Sequence, residues 1–191
     1  MQQQSLNLFA LDCHILPDGR LPLRLFEPHH LQILKESFID DQGFGIVMTT
    51  NATPSATHDI SPIGTRVQVI DFDILDDGVL GVTVIGLERF RIENSYLDHQ
   101  DVLRATVTPL PNWPHCAPQT EDMLLAHRLR EMFDHHPHLD QLYPDKDYNN
   151  ATWLYQRWLE LLPLPINEKQ SLIGKQSYEE TRHFLHQIIT F

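Results

Sequence analysis

The chain has 191 residues, 41% of them apolar, and a net charge of −12. That length suits one large domain or two small ones with a packed interior. An acidic total works against displacing counterions from phosphates, and no apolar run approaches the roughly 20 residues of a membrane helix, so neither nucleic acid nor a membrane is an expected partner.

The acid excess is spread along the chain. Residues 1–112 carry 7 basic and 15 acidic groups, and residues 113–191 carry 7 and 11. The opening segment MQQQSLNLFALDCHIL has no basic n-region, so no signal peptide is expected. Two cysteines, Cys13 and Cys116, are too few for a disulfide scaffold and read as reduced thiols of a cytoplasmic protein.

Seven of the eight glycines lie at or before Gly86. Glycine marks tight turns, so the first part reads as strand-rich and the rest as helical. LNLFAL (6–11) reads as a strand and LPDGR (16–20) as a turn. In RLPLRLF (20–26), Leu21, Leu23 and Leu25 alternate with Pro22, Arg24 and Phe26, the pattern of a strand with one apolar face. Pro22 cannot donate to a ladder, which places the strand at an edge. Pro28 holds Glu27 extended and suits the first turn of a helix over residues 28–40. FGIVMT (44–49) reads as a strand covered on both faces, and NATPSATHDISP (51–62) as a polar loop. TRVQVIDFDIL, VLGVTVIGLERFRIENSYL and DVLRATVTPLP then form a meander, with Asp77-Gly78 as a hairpin turn. Antiparallel strands with one helix imply a partly closed barrel.

PNWPHCAPQT (111–120) holds three prolines and reads as a linker, dividing a β-rich subdomain (1–112) from a helical bundle (113–191). A helix is expected from Thr120 to about Phe133, ended by HHPH. Others are expected over 151–162, stopped by Pro163, over 167–174, and from Ser177, which has capping-box spacing to Glu180. In the last of these, Thr181, Phe184, Leu185, Ile188 and Ile189 form an apolar stripe.

No catalytic constellation is visible. The histidines of HHPH (135, 136, 138) lack helical ligand spacing, and the pairs Cys13-His14 and His115-Cys116 lack a C-x₂₋₄-C spacing, so no metal is expected. DFDILDDG lacks the bidentate glutamate of a calcium loop and reads as a hairpin with solvated acids. IGKQS lacks the first glycine of a phosphate loop, because that position is Lys169. Ser171 and Lys175 show no sign of an oxyanion hole. No cofactor is expected.

Several segments read together carry a resemblance: LPLRLFEP, FGIVM, PIGTRVQVIDF, DDGVLGVTVIGLERFRI, LRATVTPLP, WLELLPLPINEKQSLI and SYEETRHFLHQII. In this order they resemble the amino-terminal substrate-recognition (LON) domain of Lon proteases and the stand-alone bacterial proteins built from it. The resemblance implies an α+β fold, a PUA-like partly closed antiparallel β-barrel with one helix, followed by a C-terminal α-helical bundle. It also implies recognition of protein substrates. The Arg-Tyr usual in the family after Glu-Pro is His29-His30 here. The ATPase and Ser–Lys peptidase domains that follow in full Lon proteases have no counterpart before Phe191, so the chain is expected to be non-enzymatic.

The expected function is a protein- or peptide-recognition module, an adaptor or regulator in protein quality control. Its expected partners are unfolded or client proteins, with a protease or chaperone as a further candidate. The alternatives are a hydrolase or metal-dependent enzyme with an unrecognised site, and a PUA-like RNA binder, against which the charge argues. An edge strand offers backbone groups to an extended peptide. The candidate binding residues around it are Arg24, Phe26, Glu27, Phe44 and Arg89.

Overall fold

The computed structural model describes residues 3–25, 27–40, 42–49 and 59–189. The chain forms two compact units, Met1–Pro111 and Asn112–Phe191.

The first unit contains β1 (Gln4–Leu11), β2 (Arg20–Leu25), α1 (Pro28–Asp40), β3 (Phe44–Thr49), β4 (Ile60–Ile74), β5 (Leu80–Leu97) and β6 (Leu103–Pro109). The strands run in the order β2-β5-β4-β3-β1-β6, and β5 also pairs with β6, which curls the sheet into a partly closed barrel. The length of β5 makes this possible. Its first part, Leu80–Ile85, pairs with β2, and its second, Phe90–Leu97, pairs with β6.

One ladder departs from the antiparallel expectation. β1 and β3 pair in parallel, from Leu8 opposite Gly45 to Leu11 opposite Met48. Parallel neighbours need a long crossover, and β2 with α1 supplies it. β3 has a strand on each side, and all six of its residues are buried, the continuous burial of a central strand. Of the expected 51–62 loop, residues 51–58 lie outside the described residues, and Ile60–Pro62 already belong to β4. The Asp77-Gly78 turn closes with Gly78 N–H donating to Leu75 O at 2.7 Å, and Gly78 adopts φ 79°, which favours glycine. α1 buries Ile33 and Leu34 at 1% and 8% exposure, but Leu31 and Phe38 stay outside at 44% and 60%. Of Leu31, Ile33, Leu34 and Phe38, which recur at mostly helical spacing, the fold buries the middle two.

The second unit contains a 3₁₀ turn (Thr120–Asp122), α2 (Met123–His135), α3 (Pro137–Leu142), α4 (Ala151–Leu161), α5 (Ile166–Ile173) and α6 (Glu179–Ile189). HHPH ends α2 as expected, and Pro137 at once opens α3, a short helix that has no buried residue. α4 is the inner helix, with every residue from Ala151 to Leu159 buried. It stops where Leu162, held extended by Pro163, leaves helical geometry. Asn150 caps its start by accepting the Thr152 N–H at 3.1 Å. Asn150→Ala is expected to cost about 1 kcal/mol in urea unfolding, the usual value of such a cap.

The proline-rich segment after Pro111 is irregular but held in place. Trp113 is buried and donates its Nε1–H to Lys175 O at 2.9 Å, and the Thr152 hydroxyl donates to Pro114 O at 2.6 Å. α6 begins at Glu179, two residues after Ser177, and Glu180 pairs with Lys175 Nζ at 2.8 Å.

Asp122 ties the unit together. It is 1% exposed, and its carboxylate accepts the Gln119 N–H at 2.8 Å and the Arg182 Nε–H at 3.1 Å. It also meets His186 Nε2 at 2.7 Å and the Tyr155 hydroxyl.

Candidate functional site

The strand-to-helix junction Arg20–Pro28 sits at the sheet margin. Alternation turns Leu23 and Leu25 inward at 7% and 4% exposure and leaves Pro22 and Arg24 outside. β2 pairs with β5 on one side, and among the described residues no strand covers its other edge. Arg24 forms an exposed ion pair with Asp77 at the tip of the β4–β5 hairpin. Phe26 lies outside the described residues.

Pro28 starts α1, and the Glu27 carbonyl accepts the N–H groups of His30 at 3.1 Å and Leu31 at 3.3 Å. The Glu27 carboxylate lies 3.3 Å from His29 Nε2. The His30 ring stacks on Phe9 at 4.0 Å and meets the His29 ring edge-on at 4.1 Å. Burial, with a smaller push from His29, lowers the His30 pKa to about 4 against the opposing pull of Glu27. His30 is therefore neutral at pH 7.

Two of the expected binding residues are interior. Phe44 and Arg89 are each 1% exposed. Phe44 packs in the barrel core beside Phe9, with ring centroids 5.8 Å apart. Arg89 donates to Pro111 O, and its own carbonyl accepts the Leu110 N–H at 2.8 Å, so it holds the chain where it leaves β6. Burial lowers its pKa to about 10, which still leaves it cationic at neutral pH. Glu88 pairs with Arg66 at 2.8 Å. Neither Phe44 nor Arg89 offers surface to a partner. Phe44 belongs to β3, which is buried along its whole length. In β5, Arg89 stands opposite Thr65 and Phe90 opposite Gly64 in regular register, so Phe90 faces the core while Arg89 is covered by the chain leaving β6.

The hairpin residues beside β2 escaped the sequence reading. Ile70, Phe72 and Ile74 are 43%, 71% and 64% exposed, because the end of β4 runs past the barrel with both faces in solvent. A cleft of about 350 Å³ lies alongside, lined by Pro22, Leu23, Arg24, Phe72, Leu75 and Val82. The signal was present in DFDI, where apolar residues alternate with the acids that drew attention to calcium.

Among the described residues, one group of three side chains brings metal-binding atoms together. Glu27, His29 and His30 each place a donor within 4.8 Å of the others. In HHPH, His135 and His136 instead turn Nδ1 to the α2 carbonyls of Glu131 at 2.6 Å and Met132 at 2.8 Å. Lys175 is engaged by Glu180. No described helix is long and apolar enough to cross a membrane.

The barrel and its open-edged β2, with the helical unit, define an α+β domain of the LON type. The family profile of the ATP-dependent protease La (LON) substrate-binding domain matches residues 5–190, and the chain belongs to this family. The region matched is the substrate-binding domain, not a catalytic one. Among solved structures, the chain is similar to a Lon N-terminal domain protein from Xanthomonas campestris. The identity is 25% and the TM-score 0.76, over 97% of this chain and 99% of that one. It shares its fold with the N-terminal domain of Mycobacterium avium complex Lon protease, at 15% identity and a TM-score of 0.64, over 98% of each chain. No curated protein matches the sequence.

Proposed function

We propose that this chain is a non-catalytic module that recognises proteins or peptides, an adaptor or regulator of protein quality control in the cytoplasm. Its partners are unfolded or client polypeptides, handed on to a protease or chaperone. The observation that carries this reading is membership of a substrate-binding family along residues 5–190. The open margin of β2 supports a mode of binding. An extended client segment pairs along that edge, with backbone hydrogen bonds giving affinity and side chains giving selectivity. Phe72 and the apolar wall of the cleft take a client side chain, while Arg24 borders it.

The test is fluorescence anisotropy of a labelled, permanently unfolded protein titrated with the full chain, with a folded protein as control. Saturable binding of the unfolded probe alone, persisting at moderate salt, is expected. No binding up to about 100 μM, weaker than roughly −5.5 kcal/mol, overturns the reading. Arg24→Glu and Phe72→Ser are each expected to weaken binding at least about tenfold, a loss of about 1.4 kcal/mol. Both leave the unfolding midpoint nearly unchanged, since an exposed ion pair contributes only about 0–1 kcal/mol. Unchanged binding in both variants places the client elsewhere on the domain.

A further inference from the structure

We propose that Glu27, His29 and His30 form a site for one Zn²⁺ ion at the start of α1, with a fourth position open to water.

The residue types are those zinc takes: two imidazoles and one carboxylate. Ligand atoms on a tetrahedral zinc, each about 2.05 Å from the ion, stand about 3.3 Å apart. Glu27 Oε2 and His29 Nε2 already lie 3.3 Å apart. The three donors all lie within 4.8 Å of one another, close to the spacing a bound ion would impose.

The backbone is fixed for this. Pro28 sets the first helical turn, and the Glu27 carbonyl holds it through His30 and Leu31 N–H. Glu27, just before that turn, lies beside His29 and His30 inside it. Phe9 forms an apolar floor under His30 at 4.0 Å, and the edge-on contact at 4.1 Å keeps the two imidazoles together. The positive end of α1 opposes a cation there. The helix has no acid in its first turn, so the Glu27 carboxylate is the group that offsets both charges. The ion therefore depends on Glu27 as well as on the imidazoles.

The experiment is isothermal titration of Zn²⁺ into the full chain after removal of metal by a chelator. One ion per chain is expected, and Co²⁺ at the same site should give the visible absorption of a tetrahedral ion. Glu27→Gln and His29→Gln change half-buried side chains at the margin of the fold and should fold normally, as circular dichroism will show. Each is expected to weaken the site at least about tenfold, the low end of what disturbing a zinc ligand's surroundings costs. Replacing His135, His136 and His138 together by Gln should leave the affinity unchanged. The inference is overturned by the absence of a one-to-one phase up to about 100 μM Zn²⁺, weaker than roughly −5.5 kcal/mol. It is also overturned if both single variants keep their affinity within tenfold, or if only the triple variant loses it.

Discussion

Asp122→Ala is expected to lower the stability of the second unit by about 3–5 kcal/mol, a large part of the 5–15 kcal/mol typical of a folded domain. The carboxylate is buried, and Arg182, His186, Tyr155 and the Gln119 amide all converge on it. Removing it strands the Arg182 charge, which keeps only the more exposed Glu121 at 2.7 Å and Gln119 Oε1 at 2.9 Å. The chain's three tryptophans, Trp113, Trp153 and Trp158, all belong to this unit, so urea unfolding followed by tryptophan fluorescence reads it directly. Asp122→Asn keeps an acceptor oxygen and should lose less. A loss below about 1 kcal/mol for the alanine variant would mean that surface-type screening governs the cluster.

The same group sets an acid limit. Burial acts to raise the Asp122 pKa, but hydrogen bonds from His186, the Gln119 amide, Tyr155 and Arg182 outweigh it, so the net value lies below the usual carboxylate range. As pH falls, the unfolded chain therefore takes up its proton first, near the ordinary value of about 3.9. The stabilisation is complete above that pH and is lost as pH drops through the folded value. The wild-type urea midpoint should fall more steeply below about pH 4 than that of Asp122→Asn.

Gly86→Ala should cost about 3 kcal/mol or more in the first unit, through space rather than backbone conformation. A Cβ at residue 86 would lie 2.1 Å from the Leu16 carbonyl oxygen, a backbone atom that cannot rotate away. The strand and the 16–19 turn are also bonded both ways, Gly86 N–H to Gly19 O and Asp18 N–H to Gly86 O, each at 2.9 Å. Relieving the overlap sacrifices these bonds, adding about 1 kcal/mol apiece to an overpacking cost of about 1–3 kcal/mol. Gly78→Ala is the contrast. There a Cβ meets nothing within 4 Å, and only the positive φ resists, at about 1 kcal/mol. Chemical unfolding followed by the circular dichroism of the sheet separates the two. Similar losses in both variants would remove the close-packing explanation.

Much of the fold was legible because it is written in local pattern. The alternation in RLPLRL and the Pro28 start of α1 are short-range signals, and the structure places β2 and α1 where they point. Partner choice is not local. Nothing in LNLFAL or FGIVMT says that they pair in parallel, since alternation reveals a face and not a neighbour. α3 was missed because it buries no residue and so carries no stripe. The candidate site was legible only in part. Arg89 has the residue type of a surface group, and Phe44 sits in a run with no polar partner to show its direction. The segment leaving β6 covers the first, and the second was already marked as interior by the continuous apolar run of β3. The Glu-Pro-His-His run departs from the family pattern in the sequence, but only the fold shows that its donors meet where the chain enters α1.

The pairing of β1 with β6 sets Gln4 opposite Val107. During synthesis at about 5–20 residues per second, one margin of β1 must wait about 5–20 s for its partner to be made. β3 emerges earlier and can occupy the other margin. The barrel is therefore the slow element of biogenesis, since its rate depends on closing contacts far apart in sequence, whereas helices such as α2 form from near neighbours. Until β6 arrives, the growing chain displays an unsatisfied strand of its own. A member of a substrate-binding family thus begins life as the kind of polypeptide that holdase chaperones capture.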